Sequence, residues 1–226
     1  MDQRTGHQRR RRNRPALTDK LVAIPPPRKR DGEERRRELC DAAIRVLAEQ
    51  GSRGLTHQRV DRAANMPDGT TSYYYRTREA LLRGVGQRVA DIDLANIASV
   101  TAESTRSESP FGRLAQLVVD QSEGRGLLLN KARFELMLAA VRDPELTDKA
   151  TALAARGVAL TLEAIDAVSP RSDDPELREA QSVAVMTFIS GLFTNFAAGD
   201  RTLADAERLE RLFHAIVTAV ALERAD

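Results

Sequence analysis

Hydroxyl and aromatic side chains are concentrated in residues 70–75, where two threonines and a serine are followed by three consecutive tyrosines. Hydroxyl groups donate and accept hydrogen bonds, and each tyrosine adds a flat ring with a polar tip. Gly69, which permits close backbone approach, precedes the run, and Arg78 follows it. This composition is unusual for a hydrophobic core, and it indicates a segment that contacts a partner.

The residue patterns of common catalytic and metal sites do not stand out in the chain. His7, His57 and His214 are far apart in sequence and lack partners at ligand spacing, so no metal site is expected. His214, beside Phe213, is interpreted as a packed or interfacial histidine. We find no glycine-rich phosphate loop after a strand, no nucleophile elbow and no zinc-protease helix motif. We therefore expect neither enzymatic activity nor a cofactor.

Composition indicates a globular protein of a reducing compartment. The 226 residues are 42% apolar, which is enough for a core, and no run reaches the roughly 20 apolar residues of a membrane span. The single cysteine, Cys40, excludes an intramolecular disulfide. It is interpreted as a small core residue, with a reactive thiol as the alternative. We expect a soluble, cytoplasmic protein.

Basic charge is concentrated at the N-terminus. Residues 1–32 hold ten Lys or Arg against three Asp, a net charge of +7, which leaves −5 on residues 33–226. Because residues 1–32 have almost no apolar periodicity, they are predicted to form a disordered basic arm. The arm is either an electrostatic tether to phosphates or a bystander, namely a solubilising tail or the product of a mis-assigned start codon.

Two helices are predicted before the hydroxyl and aromatic run. A first helix is predicted over residues 33–50, and Gly51 ends it. Its apolar stripe consists of Leu39, Ala43, Val46 and Leu47. Thr56 is a good N-cap for a second, short helix. The predicted buried face of that helix consists of Val60, Ala63 and Ala64.

A tight turn separates the second helix from the third. Asn65 tolerates the left-handed conformation that such a turn needs, and Pro67 and Gly69 bracket the start of the third helix. Two short helices joined in this way, the second polar and aromatic on its exposed side, match the helix-turn-helix pattern. Thr77, with Glu79 in the first turn, then starts a fourth helix.

The rest of the chain is also predicted to be helical. Ser109 and Pro110 form a natural helix start. That helix is expected to end near residues 124–126, and helices over residues 127–141 and 145–168 and a loop over residues 169–175 follow. Since no strand-period alternation stands out, the predicted fold is all-α.

The last two predicted helices are the most apolar part of the chain. Apolar residues cover nearly all sides of residues 183–196, which predicts burial all round. Gly199 is expected to end this helix, and Thr202 with Asp205 to open the next. The surplus of apolar surface predicts a C2 homodimer formed through a four-helix bundle. The alternative is that both helices are buried inside one monomer.

Residues 33–85 resemble the DNA-binding domain of the TetR family of transcriptional regulators. The resemblance is carried by Thr56 at the start of the second helix, the turn at residues 65–67, the recognition helix at residues 69–72 and the exit at residues 74–81. With it, the chain divides into a basic arm over residues 1–32, a helix-turn-helix DNA-binding domain over residues 33–83, and a helical regulatory and dimerisation domain over residues 84–226.

The resemblance implies which side chains contact DNA. Tyr75 takes the position of a buried phenylalanine in the family, and Thr71 is expected to pack against Val60, so both are assigned to the core. Asp68 is interpreted as a helix N-terminal residue favoured by the dipole or as an acceptor for a cytosine amino group. The predicted DNA-binding residues are His57, Gln58, Asp68, Gly69, Thr70, Ser72, Tyr73, Tyr74 and Arg78.

The resemblance also implies a small-molecule effector whose binding shifts the helix after the recognition helix. The predicted effector-binding residues, each of which is equally a candidate for ordinary core, are Arg133, Phe134, Met137, Leu138, Met186, Phe188, Phe193 and Asn195. We interpret the chain as a ligand-responsive, dimeric transcriptional regulator that binds a palindromic operator in double-stranded DNA. Repression is the favoured role, and the sequence leaves activation open. The alternative is a helical ligand carrier or protein-interaction bundle without DNA binding.

Overall fold

The computed structural model describes residues 29–102, 109–168 and 174–224, and nearly all of them are helical. The helices in chain order are α1 Lys29–Gly54, α2 His57–Ala63, α3 Thr70–Tyr74, α4 Arg78–Ala102, α5 Pro110–Val119, α6 Gly124–Ala140, α7 Pro144–Val168, α8 Pro175–Ala197 and α9 Ala206–Glu223. These ranges contain no strand, which confirms the predicted all-α fold. Most of the predicted basic arm and of the loop at residues 169–175 lies outside the described residues.

Helix α1 is longer at both ends than predicted. It begins at Lys29, inside the predicted arm. Asp31 lies in its first turn, where the helix dipole stabilises a negative charge. Gly51 breaks the helix as expected, with φ 67° and ψ −178°, a conformation that glycine adopts without steric cost. One further helical turn then follows, up to Gly54.

The core around α1, α2 and α4 continues into α6 and α7. Leu39 of α1, Val60 of α2 and Leu81 of α4 are fully buried together. The same cluster includes Leu136 of α6 and Leu146 of α7. Burying one such leucine stabilises a fold by about 1.5–3 kcal/mol. Helices α6 and α7 therefore pack directly against α1 and α4.

A second core joins α5, α7, α8 and α9. Phe111, Phe196 and Phe213 are its largest fully buried side chains, and the rings of Phe111 and Phe213 lie 5.8 Å apart. The prediction that α8 is buried all round is wrong for the single chain, because Val183 is 58% exposed and Thr187 is also exposed. Helix α8 therefore buries one face in this core and leaves another uncovered.

The junction between α5 and α6 lies earlier than predicted. Helix α5 ends at Val119, a 3-10 turn covers Asp120–Ser122, and α6 already begins at Gly124. A side chain at Gly126 would lie 1.8 Å from the carbonyl oxygen of Asp120, so only glycine allows this close approach. The glycines that suggested a break therefore permit a tight corner instead.

Helix α8 is the one helix of the described residues that is long and apolar enough to cross a membrane by length and composition alone. No membrane-spanning segment was expected from the sequence, because no run reaches roughly 20 apolar residues. Core helices of soluble proteins pass the same test, and Val185, Ile189, Leu192 and Phe196 of α8 are buried in the second core. The apolar residues on this face of α8 thus form part of the second core.

Candidate nucleic-acid interface and effector region

A side-chain cap and two left-handed residues define the start of α2 and the turn between α2 and α3. The Thr56 hydroxyl accepts a hydrogen bond from the backbone N–H of Arg59 (3.3 Å), which confirms the predicted N-cap. Asn65 adopts the predicted left-handed conformation with φ 55°, and Gly69 precedes α3 with φ 93°. The turn therefore depends on two positive φ values that few residue types tolerate.

The carboxylate of Asp61 connects α2 to the start of α3. Asp61 is 1% exposed and accepts backbone N–H bonds from Gly69 (2.8 Å) and Thr71 (2.7 Å). It also accepts a bond from the hydroxyl of Thr71, which is fully buried. An anionic acceptor at a helix N-terminus satisfies otherwise unpaired donors and is favoured by the dipole. Because α3 has only five residues, its position depends on this carboxylate.

Sequence reasoning missed Asp61 and misassigned one neighbour. Ala63, predicted to be buried, is exposed, and Ala64 is only half-buried, whereas Val60 is buried as expected. One feature of the sequence could have indicated Asp61. It directly follows the apolar Val60 on a short predicted helix, and the predicted turn at residues 65–67 separates it from Gly69. A carboxylate at such a position is stable only if the fold supplies it with donors.

The remaining side chains of α3 form an outward face. The Thr70 hydroxyl donates to the Pro67 carbonyl (2.6 Å), and the Ser72 hydroxyl donates to the Gly69 carbonyl (2.9 Å). Their oxygen lone pairs stay available to a partner. Tyr73 is 71% exposed. This face therefore presents acceptors and an aromatic ring to whatever approaches α3.

Tyr74 and Tyr75 have different surroundings. Tyr74 is half-buried, with its ring edge-on to the exposed Tyr73 at 5.1 Å and the guanidinium of Arg36 at 5.3 Å from its centre. Tyr75, assigned to the core, is half-buried, and its hydroxyl lies 3.1 Å from Sγ of Cys40. A side chain at Gly84 would collide with the Tyr75 ring. Burial, followed by the bond to Cys40, raises the pKa of the Tyr75 hydroxyl.

Cys40 is the small core residue that was predicted. It is 3% exposed and lies in α1 beside the fully buried Leu39. Burial raises the pKa of its thiol above the ordinary value of 9.0, while the bond to Tyr75 acts in the opposite direction. The thiol is therefore protonated at neutral pH and lacks the thiolate that a reactive cysteine needs.

Two predicted DNA contacts are engaged with the protein itself. His57 Nε2 donates to the carbonyl of Tyr75 (2.7 Å), which brings the start of α2 next to the end of α3. Arg78 Nη2 donates to the carbonyl and the hydroxyl of Ser52, both at 2.6 Å. Of the predicted DNA-binding residues, His57 and Arg78 are therefore bonded to neighbouring parts of the chain, whereas Gln58 and Asp68 are exposed.

A partly buried ion pair joins α4 to α6. Arg133 donates from Nε to Asp93 (2.8 Å) and from Nη2 to both Asp93 and Gln121. Asp93 is 7% exposed, and the guanidinium lies 5.9 Å from the ring centre of Phe193. The buried Nη1 of Arg133 has no hydrogen-bond partner among the described residues. Sequence reasoning named Arg133 and Phe193 but missed Asp93.

The other predicted effector-binding residues are scattered. Met137 and Leu138 are exposed by 54% and 65% on α6, and Asn195 is exposed on α8. Phe188 packs against Phe213 in the second core, with the ring centres 6.1 Å apart. Two further predicted residues are Phe134, which is half-buried, and Met186, which lines an open groove of about 490 Å³ between α7 and α8. Of the predicted effector-binding residues, only Arg133 and Phe193 therefore lie together, beside the buried carboxylate of Asp93.

The fold and this interface define a helix-turn-helix protein with a helical regulatory domain. The family model described as "Tetracyclin repressor-like, C-terminal domain" matches residues 106–220, more than half of the chain. The chain therefore belongs to the TetR family of transcriptional regulators, as its DNA-binding domain suggested. Transcription regulation through a helix-turn-helix DNA-binding domain follows from this membership.

Solved structures agree with this assignment. The multidrug binding protein EbrR complexed with ethidium is 26% identical, with a TM-score of 0.57 over 81% of this chain and 98% of that one. A TetR-family member from Streptomyces coelicolor A3 is 25% identical, with a TM-score of 0.59 over 81% and 98%. A transcriptional regulator from Saccharomonospora viridis in complex with choline, 14% identical with a TM-score of 0.67 over 82% and 96%, shares the fold. No curated protein sequence matches the chain significantly.

Proposed function

We propose that this protein is a cytoplasmic, homodimeric repressor that binds a palindromic DNA operator and responds to a small-molecule effector, without enzymatic activity. The observation that carries the proposal is the outward face of α3, which presents Ser72 and Tyr73 to solvent while Asp61 holds Thr71 inside. A short helix with this division of residues is suited to enter the major groove, where its N-terminal residues meet base edges and phosphates.

Each part of this face has a distinct role in the proposed complex. Gly69 lets the backbone approach DNA closely, and Thr70 and Ser72 offer hydroxyl oxygens to bases or phosphates. Tyr73 hydrogen-bonds a phosphate or packs on a thymine methyl group. Tyr74 contacts a phosphate, and the guanidinium of Arg36 beside its ring supplies a positive charge to that contact.

The proposed dimer uses the uncovered faces of α8 and α9. Val183, Thr187 and Gly191 are exposed at helical spacing along α8. Ala215 and Ala219 are exposed in the same way on α9. Small side chains let helices of two copies approach closely in a four-helix bundle. A C2 dimer carries two copies of α3 related by a two-fold axis, which is why a palindromic operator is expected.

We infer that the effector is a flat organic cation that binds beside Asp93. EbrR has been solved with ethidium, with proflavin and with malachite green, which are aromatic cations. In this chain the planar guanidinium of Arg133 lies between the Asp93 carboxylate and the Phe193 ring, an arrangement that also suits a flat cation. A ligand that replaces Arg133 there would release α6 from α4 and so change the DNA-binding domain.

Replacing Tyr73 with alanine tests the DNA-binding role. Tyr73→Ala should weaken binding to a duplex selected by the wild-type protein from a random-sequence pool roughly tenfold, since a single DNA contact contributes on the order of 1–3 kcal/mol. Fluorescence anisotropy at fixed salt measures the affinity, and thermal denaturation checks folding. Val141→Ala, which alters another exposed apolar side chain far along the chain, is the control.

The same experiment distinguishes the alternative. A helical ligand carrier or protein-interaction bundle would select no duplex from the pool. A selected duplex that Tyr73→Ala binds as tightly as Val141→Ala and the wild type do would instead show that Tyr73 makes no DNA contact.

A further inference from the structure

Ser52 contacts both the DNA-binding surface and the regulatory domain. Its backbone N–H donates to the carboxylate of Glu135 on α6 (2.8 Å). Its carbonyl and hydroxyl oxygens both accept hydrogen bonds from Arg78 Nη2 at 2.6 Å. One residue at the end of α1 therefore lies between a regulatory-domain carboxylate and a guanidinium at the start of α4.

The kink in α1 creates this arrangement. Gly51, with φ 67° and ψ −178°, directs the N–H of Ser52 out of the helix and toward α6. A side chain at Gly51 would lie 3.2 Å from Oε1 of Glu135, so glycine permits the carboxylate to approach this closely. A hydrogen bond from a backbone N–H to a carboxylate is charge-assisted and stronger than a neutral one.

Arg78 is the predicted DNA-binding residue that follows α3. It is the first residue of α4, its side chain is exposed, and only four positions separate it from Tyr74. The two bonds to Ser52 use the same nitrogen, Nη2, so Nε and Nη1 of the guanidinium are not used by Ser52. An arginine held in this way keeps donors for a phosphate oxygen while its orientation is restricted.

We infer that Glu135 is a positioning residue for DNA binding: by fixing Ser52, it orients Arg78 toward the phosphate backbone. This inference rests on the proposed DNA-binding function. Glu135 lies on α6, two positions after Arg133, which binds Asp93 on α4. A displacement of α6 therefore reaches the DNA-binding surface through Ser52 as well as through α4.

A double-mutant cycle between Glu135 and Arg78 tests the inference. The variants Glu135→Ala, Arg78→Ala and their combination are titrated, with the wild type, against a duplex that the wild type has selected from a random-sequence pool. Glu135→Ala should weaken binding roughly fivefold in the wild-type background and less than roughly twofold in the Arg78→Ala background, because residues that act through one another are not additive. Glu135→Gln keeps an acceptor oxygen and should restore affinity to within roughly twofold of the wild type.

The controls separate positioning from general stability. Glu123→Ala removes an exposed carboxylate near the other end of α6 and should leave affinity unchanged. Equal losses from Glu135→Ala in both backgrounds, or no loss in either, would overturn the inference, as would a failure of Glu135→Gln to restore binding. Failure of the wild-type protein to select any duplex would instead refute the proposed function on which the inference rests.

Discussion

At the scale of single residues, the proposed DNA-binding face of α3 depends on Asp61, a buried side chain. Asp61 is buried in α2 and gathers three donors from Gly69 and Thr71. Because α3 is too short to be stable by itself, its orientation follows from these bonds and from the positive φ of Gly69. In the proposed complex with DNA, Asp61 thus contributes to recognition, because it holds α3 with Ser72 and Tyr73 facing outward.

Replacing Asp61 with asparagine should lower both stability and DNA affinity. The amide keeps one acceptor oxygen but points an N–H₂ group at donors, so at least one buried N–H loses its partner, at a cost of about 1–3 kcal/mol. Chemical denaturation measures the free energy of unfolding, and anisotropy measures the affinity for the selected duplex. The exposed Asp68, changed to asparagine, is the matched control. Equal effects of the two substitutions would show that Asp61 does not hold α3 in place.

At the scale of helices, two ion pairs link α4 to α6 and to the residues just after α6. Arg83 of α4 binds Asp143 (2.9 Å) just after α6, and Arg133 of α6 binds Asp93 of α4. The hydrogen bond from Arg83 lowers the pKa of Asp143, so Asp143 remains ionised at neutral pH. Since α4 also carries Arg78, the position of the DNA-binding surface depends on how α4 is held against α6.

The α4–α6 ion pair leads to a prediction for the effector. Ethidium should bind the wild-type protein, and Asp93→Asn should weaken that binding at least roughly tenfold, because a buried carboxylate attracts a cation far more strongly than a neutral amide does. Ethidium fluorescence measures the affinity. Asparagine still offers an oxygen to Arg133, and thermal denaturation verifies that the variant folds.

The control on the same helix is Asp91→Asn, which changes an exposed carboxylate. If ethidium does not bind the wild type, or binds both variants equally, the inferred cation site beside Asp93 is wrong.

At the scale of the whole molecule, one face of α8 is not covered by the rest of the chain. Helix α8 was predicted to be buried all round, yet Val183 and Gly191 are exposed. A side chain added at Gly191 would meet no atom of the chain within 4 Å. In the proposed dimer, the same position would lie where the second copy packs.

A bulky residue at Gly191 should therefore block dimerisation without unfolding the monomer. Gly191→Trp is expected to halve the mass measured by light scattering. It should also weaken operator binding, since the two helix-turn-helix domains of the dimer would no longer bind as one unit. Leu138→Trp, on an exposed part of α6 outside the proposed interface, is the control and should remain dimeric. A dimeric Gly191→Trp protein would exclude this face as the interface.

Local signals predicted the elements well wherever neighbouring residues decide the backbone. The cap at Thr56, the left-handed Asn65 and the helix start at Ser109 were all confirmed, because each depends on bonds or sterics within a few residues. The corner between α5 and α6 was misplaced, since it depends on the approach of Gly126 to the carbonyl of Asp120. Burial of Asp61 was missed because its donors lie on the other side of the turn.

The sequence by itself determined the all-α fold, the helix-turn-helix and the TetR resemblance, since periodicity, caps and turn residues act over short distances along the chain. Only the tertiary structure decided that Asp61 holds α3, that Asp93 pairs with Arg133, and that Ser52 lies between Glu135 and Arg78. These contacts join groups that are distant in sequence or have no local pattern. The energy of a buried charge depends on which donors the fold brings to it, and no periodicity in the chain records that arrangement.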